Sequence, residues 1–423
     1  MTNRKKSMKK TTIGILMLLI LGVLLAGCTK RKEEKVEITM IHGWGNTQKD
    51  HVAMRRIYED FEKKHPEIHL NLVSMPSSTD VISKVGDLLT VGEIPDIVFT
   101  GGDGRETIYS FMVEKGYAVD LMPYIDKDVE FAQSVSETIL NSWKTEDGKL
   151  YTVSDVLLMG GYWYNQDIFE KAGIQDVPKT WDDWFEVCEQ IVTFDKNIAP
   201  VILDANHMTY LLTAILANED ITELENVRNS MINVNSAAFD KMFEQLQRIS
   251  EYAILAGNYN YRDTLASFNQ QESAIYINGV WANSMIDSNL RVAYAPFPSD
   301  DGEGISTQSA CVGYILGNTG DEKRVSASVE FIKYMLSDET AKRIMEETGQ
   351  TPSNPNIDIT KQSENPRMNQ AVECVKNAGL IIETPENFWD LGEKQVYGDN
   401  VILYLQKRIT EEEFRKRLSS MQK

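Results

Sequence analysis

Apolar and polar residues alternate at Val36, Ile38 and Met40, then Met54, Ile57, Tyr58 and Phe61 recur at the i, i+3, i+4, i+7 spacing of one helix face until Pro66 ends the run. Ile68, Leu70 and Leu72 alternate again. Val81, Val85, Leu88 and Leu89 return to helical spacing, and Pro95 to Phe99 is a short apolar strand. The order strand, helix, strand, helix, strand predicts parallel strands joined by right-handed crossovers, and such sheets bind ligands beyond their carboxyl ends. Those ends are His42 to Asn46, Met75 to Ser78 and Thr100 to Gly104, so glycine-rich loops carrying Trp44 and Asp103 are expected to converge there.

A second unit follows a turn at Asp147-Gly148-Lys149. Leu150 to Val153 and Tyr162 to Asn165 are predicted strands, and Asp167 to Ala172 a short helix stopped by Gly173. Thr180 N-caps a long helix with Trp181, Trp184, Phe185, Cys188, Ile191 and Val192 on one face. Helices are predicted over 208–218, 236–255, 261–269 and 326–345. Ser273 to Asn278 and Leu290 to Pro296 read as strands, the first followed by the turn Gly279-Val280-Trp281. A capping box from Thr410 to Glu413 starts the final helix.

The first 27 residues follow a different pattern. Arg4, Lys5, Lys6, Lys9 and Lys10 precede an apolar run from Ile13 to Leu25, broken only by two glycines. At ~1.5 Å per residue this run covers ~20 Å of a hydrocarbon layer ~30 Å thick, too little for a permanent span. Leu25-Ala26-Gly27-Cys28 resembles the bacterial lipobox. It implies cleavage before Cys28, acylation of that cysteine, and a charged tether over 28–35.

The whole chain carries a formal charge of −20, and without its five basic leader residues the body holds 38 Lys and Arg against 63 Asp and Glu, or −25. That field argues against nucleic acid or anionic lipid as partner and favours a neutral or cationic ligand. Apart from Cys28, only Cys188, Cys311 and Cys374 remain, with no CxxC spacing, so no disulfide framework is expected. His65 and His69 flank Pro66 and do not share a helix face, so neither a metal nor a cofactor is expected.

Taken in order, the lipobox, the opening strand ending at Trp44, Gly92-Glu-Ile-Pro-Asp-Ile-Val98, Asp147-Gly-Lys-Leu-Tyr151, Tyr164-Asn-Gln-Asp-Ile-Phe169, Pro178-Lys-Thr-Trp181 and Ala274-Ile-Tyr-Ile-Asn-Gly-Val-Trp281 resemble the extracellular solute-binding proteins of bacterial ABC importers, in the class that binds sugars. Ser154-Asp155 and Cys311-Val312-Gly313 depart from the usual pattern, which bears on the substrate. The resemblance implies an α/β fold of two lobes, each a mainly parallel sheet flanked by helices, closing on a ligand held between them. Lobe one is expected to hold 36–143 and 286–345, lobe two 144–285 and 346–423. It further implies a monomer on the extracytoplasmic face of the cell membrane, serving a permease.

A sugar presents C–H faces for stacking and hydroxyls for hydrogen bonding, so its site needs exposed aromatic rings beside carboxylates and amides. Trp44 and Trp281, each at a strand end beside glycine, are the candidate platforms, with Trp389 in the loop Pro385-Glu-Asn-Phe-Trp389 as a third. Trp143, Trp163, Trp181 and Trp184 are assigned to the core. Asp103, Asp155, Asn206 and Asn278 are the candidate hydrogen-bonding residues; Asp103 and Asp155 serve equally well as turn caps, and Asn206 as a helix cap. No G-x-S-x-G, Walker loop, G-x-G-x-x-G or H-E-x-x-H occurs, and no enzymatic activity is expected. Two alternatives stay open: a glycoside hydrolase working through two carboxylates, and the same fold holding a polyamine, peptide or phosphate ester.

Overall fold

The structure, a computed structural model, describes residues 35–102, 105–203, 207–229, 231–255, 261–389 and 391–420. Cys28 with its leader, Asp103 and Asn206 lie outside the described residues.

In chain order the elements used below are β1 (Val36–His42), α1 (Lys49–Lys64), β2 (Ile68–Ser74), α2 (Ser78–Thr90), β3 (Ile97–Gly102), α3 (Glu137–Trp143), β4 (Val156–Asn165), α4 (Trp181–Phe194), β5 (Ala199–Leu203), α5 (Met208–Glu219), α6 (Ala237–Tyr252), β6 (Ala253–Leu255), β7 (Ser273–Gly279), β8 (Val292–Ala295), β9 (Ile305–Ala310), β10 (Val312–Leu316), α7 (Glu322–Leu336), β11 (Thr351–Pro352), α8 (Pro366–Lys376), β12 (Leu380–Ile382), α9 (Leu391–Leu405) and α10 (Glu411–Ser419).

These strands form two sheets. The first has the order β10-β3-β1-β2, with β1 parallel to β2 and β3, and β10 antiparallel to β3. Its core gathers the stripe Met54, Ile57, Tyr58 and Phe61 of α1 with Val81, Val85 and Leu89 of α2 and Phe331, Ile332 and Met335 of α7. Burying an aliphatic or aromatic side chain of this size contributes about 1.5–3 kcal/mol, which outweighs the modest helix propensities involved. Local signals set the boundaries. Ser77 accepts the Asp80 backbone N–H at the start of α2, and Thr180 and Asp183 close a capping box on α4.

The second sheet runs β12-β9-β4-β7-β5-β6, with β8 and β11 also paired to β4. It is mixed: β4 is antiparallel to β7, β8, β9 and β11, while β5 is parallel to β6 and β7. One face packs on α4, α5, α6, α9 and α10, the other on α8. Trp143, Trp163, Trp181 and Trp184 are all buried, as their assignment to the core expects, and Cys188, Cys311 and Cys374 are free thiols.

One assignment changes. β8 and β9, within the 286–345 segment expected in lobe one, hydrogen-bond to β4 and belong to the second sheet. The apolar alternation of Leu290 to Pro296 marks a strand but carries no record of its partner. Residues 150–153 likewise form no strand; only Val153 pairs, as an isolated bridge to Tyr314.

The chain passes between the sheets at three places: 143–156, 310–312 and 336–352. The crossings are bonded to one another. Thr152 Oγ1 accepts from the Gly313 N–H at 3.2 Å, Ser154 Oγ lies 3.2 Å from Cys311 Sγ, Ser353 Oγ donates to the Ser154 carbonyl at 2.5 Å and the Ser353 N–H donates to the Asp155 carbonyl at 2.9 Å. A Cβ on Gly313 would stand 2.0 Å from the Val153 carbonyl oxygen, so only glycine lets the first two crossings lie this close.

Candidate functional site

Strand direction locates the cleft. β4 enters the second sheet from the crossing at Ser154, and β7 and β5 run opposite to it, so their carboxyl ends point back toward the first sheet. On the other side, β10 enters from the crossing at Cys311 with Val312 paired to Gly102, which turns the carboxyl ends of β3 and its parallel neighbours β1 and β2 toward the second sheet. Both sets of carboxyl ends therefore face the gap between the sheets, where open α/β sheets carry their ligands.

Trp44 follows β1 at that edge and is half-buried. Its indole stacks on Phe99 with centroids 5.5 Å apart and takes the edge of His51 at 4.7 Å. Its Nε1–H donates to the Tyr58 hydroxyl at 3.0 Å, and its backbone N–H donates to His42 Nδ1 at 3.2 Å. Arg55 Nη1 reaches from α1 to the carbonyls of Trp44 and Asn46. A Cβ on Gly45 would lie 2.3 Å from the Met75 carbonyl oxygen, which accounts for the glycine after Trp44: the loops after β1 and β2 touch there.

Trp281 lies in the turn after β7 and is also half-buried. Its ring folds back over Gly279, where an added Cβ would fall 1.9 Å from it, and approaches His207 at 5.7 Å and Tyr210 at 6.0 Å. Between the sheets lies a cavity of about 550 Å³, lined by Lys49 and Asp50 at the start of α1, Asn283 and Ser284 just past Trp281, and Thr348 and Gly349 in the third crossing. Asn283 Nδ2 is buried there without a hydrogen-bond partner among the described residues.

Three sequence candidates occupy supporting places instead. Asn278 is 0% exposed: its Oδ1 accepts the Gly279 N–H at 2.7 Å, and its Nδ2 donates to the Tyr276 hydroxyl at 2.5 Å and approaches His207 Nδ1 at 3.4 Å. With both ends of its amide engaged, it holds the turn under Trp281. Trp389 is 2% exposed, donates from Nε1 to the Val227 carbonyl at 3.0 Å and meets Tyr397 edge-on, so it is core of the second lobe. Asp155, 2% exposed, lies inside the hinge, where Oδ2 accepts from the Tyr314 hydroxyl at 2.5 Å and Oδ1 has no partner among the described residues. Trp44 and Trp281 thus border the gap, whereas Asp155, Asn278 and Trp389 lie behind its surface.

The electrostatics follow from burial. Desolvation pushes the Asp155 carboxyl up to about 6, against its Tyr314 hydrogen bond, and raises the Tyr58 and Tyr314 hydroxyls, so both remain O–H donors at neutral pH. Burial, reinforced by Arg55 and His51, holds His42 down to about 4; the neutral ring accepts from Trp44 at Nδ1 and shares Nε2 with Ser74 Oγ at 3.0 Å. Sequence reasoning missed His42, Arg55, Tyr58, Tyr210 and Tyr314. Asn283 was missed as well; the one signal in advance was that His42 opens the strand-end segment that carries Trp44.

Residues 56–370 match a family model described as bacterial extracellular solute-binding protein. The chain is 23% identical over 345 residues to the multiple sugar-binding protein of Streptococcus mutans, covering 77% of this chain and 78% of that one. A Streptococcus pneumoniae solute-binding protein solved in complex with the blood group A-trisaccharide shares the fold with a TM-score of 0.75 at 23% identity, over 91% of this chain and 98% of that one. A chitin oligosaccharide binding protein reaches 0.78 at 20% identity, over 92% and 98%.

Proposed function

The chain belongs to the bacterial extracellular solute-binding proteins, and from that premise we propose that it captures a neutral mono- or oligosaccharide between its lobes and delivers it to the permease of an ABC importer. The observation that carries this reading is the pair of half-buried indoles, Trp44 and Trp281, at strand carboxyl ends bordering the same gap. Two indole faces with buried amides and carbonyls nearby match the alternating C–H faces and hydroxyls of a sugar. Asp103 and Asn206, which follow β3 and β5 in the sequence, supply hydrogen bonds to those hydroxyls. The named ligands of the relatives, a trisaccharide and chitin oligosaccharides, belong to the same chemical class. The protein acts as a monomer, held on the outer face of the cell membrane by lipid on Cys28, and releases its sugar unchanged.

A melting-temperature screen of the purified protein against raffinose, xylotriose, chitotriose, the A-trisaccharide and matched non-sugar solutes tests the proposal. A sugar at saturating concentration should raise the melting temperature by several degrees and be recovered intact. Stabilisation by a polyamine or peptide alone would contradict it, as would hydrolysis products.

A further inference from the structure

Trp44 is the first member of a buried chain of hydrogen bonds that ends in the hinge. Its indole Nε1–H donates to the Tyr58 hydroxyl at 3.0 Å, the Tyr58 and Tyr314 hydroxyls are 3.0 Å apart, and Tyr314 donates to Asp155 Oδ2 at 2.5 Å. Every proton in it can be assigned. An indole nitrogen only donates, so Tyr58 accepts from Trp44; Tyr314 gives its single proton to the carboxylate, so Tyr58 must donate to the Tyr314 oxygen. The chain therefore has one polarity, running from the cleft to Asp155, and no member can turn without leaving a buried polar atom unpaired.

The aromatic rings follow the same path. Phe99 stacks on Trp44 at 5.5 Å and tilts against Tyr314 at 4.7 Å, so the indole is held at its face as well as its nitrogen. At the far end all three crossings meet: Asp155 lies in the first, Tyr314 just past the second, and Ser353, just past the third, donates its N–H to the Asp155 carbonyl at 2.9 Å.

We propose that Tyr58, Tyr314 and Asp155 are positioning residues that fix the plane of Trp44 for stacking and tie that plane to the hinge. The inference rests on the reading of Trp44 as a sugar platform. None of the three touches ligand; they act through the indole.

A double-mutant cycle with an NMR readout tests this. The probe is the tightest binder among raffinose, xylotriose and chitotriose, titrated calorimetrically into wild type, Tyr314→Phe, Trp44→Phe and the double variant. Tyr314→Phe should weaken binding roughly three- to tenfold where Trp44 is present and less than about twofold in the Trp44→Phe background, whose ring has no N–H to position. In the ligand-free protein the Trp44 indole N–H resonance, assigned by its loss in Trp44→Phe, should move in both Tyr58→Phe and Tyr314→Phe. Asp155→Asn, which keeps an acceptor, should bind better than Asp155→Ala. Equal losses in both backgrounds, or an indole resonance that stays in place in Tyr314→Phe, would overturn the relay alone. Full affinity in Trp44→Ala would overturn the platform reading together with it.

Discussion

Replacing Asp155 by Asn changes one buried atom and should remove a pH-dependent term from stability. The folded protein holds this carboxyl at about 6 against an ordinary value of 3.8, because burial disfavours its charge more than the Tyr314 hydrogen bond supports it. The folded state then binds more protons than the unfolded chain between those two values, so stability falls as pH rises through that window. At about 1.4 kcal/mol per unit, a shift of about two units is worth roughly 3 kcal/mol, fully expressed above the folded value and absent below 3.8. Asparagine carries no charge at any pH. Urea denaturation of Asp155→Asn and wild type at pH 4, 5, 6 and 7 should give a stability difference that moves in favour of the variant by about 3 kcal/mol, mostly below pH 6. His42, depressed to about 4, works in the opposite sense: its contribution is present above 6.5 and lost as pH falls toward 4. It is common to both proteins and cancels in the difference. A difference that does not vary with pH would refute the assignment of Asp155 as a buried, desolvated carboxylate.

Other expectations follow from the same physics. Cys28→Ser should abolish acylation and release the protein or strand its precursor, checked by labelling with a fatty-acid analogue; membrane retention without label would contradict the anchor. Trp389→Ala removes a fully buried indole and should cost roughly 3–5 kcal/mol of unfolding free energy while the folded fraction keeps its affinity; weakened binding at unchanged stability would return Trp389 to the cleft. Small-angle scattering with a saturating sugar should show a smaller radius of gyration as the lobes close about the three crossings. Superposable curves would count against closure.

The alternation from Val36 to Phe99 was enough to read β1, β2 and β3, which pair with one another close in sequence, but not β10, which joins β3 from residues 312–316. At 292–310 the pattern marks a strand but not its partner, and the lobe implied by the resemblance was the wrong one. A strand's period reports that one face is buried, while the choice of β4 as partner depends on the geometry of a crossing more than a hundred residues away. The strand ends that carry Trp44 and Trp281 were legible from the glycines beside them. Trp389 was misread because a tryptophan in a Pro-Glu-Asn-Phe loop has no apolar period, yet the short helical turn at 385–388 folds its indole onto Tyr397. Asp155 reads as a turn carboxylate until Tyr314 and Ser353 cover it from distant parts of the chain. Tyr58 was correctly placed on the core stripe of α1; its hydroxyl, the part that reaches Trp44, leaves no trace in a hydrophobic pattern.

The most direct test is a calorimetric titration of wild type, Trp44→Ala and Trp281→Ala with the sugar that stabilises the protein most, alongside unfolding curves for all three. Each stacked face with its neighbouring hydrogen bonds is worth on the order of 1–3 kcal/mol, so each variant should bind about tenfold or more weakly while its unfolding free energy changes little. Wild-type affinity in both variants, or unfolding of Trp281→Ala with normal binding by the folded remainder, would contradict a sugar site between these two indoles.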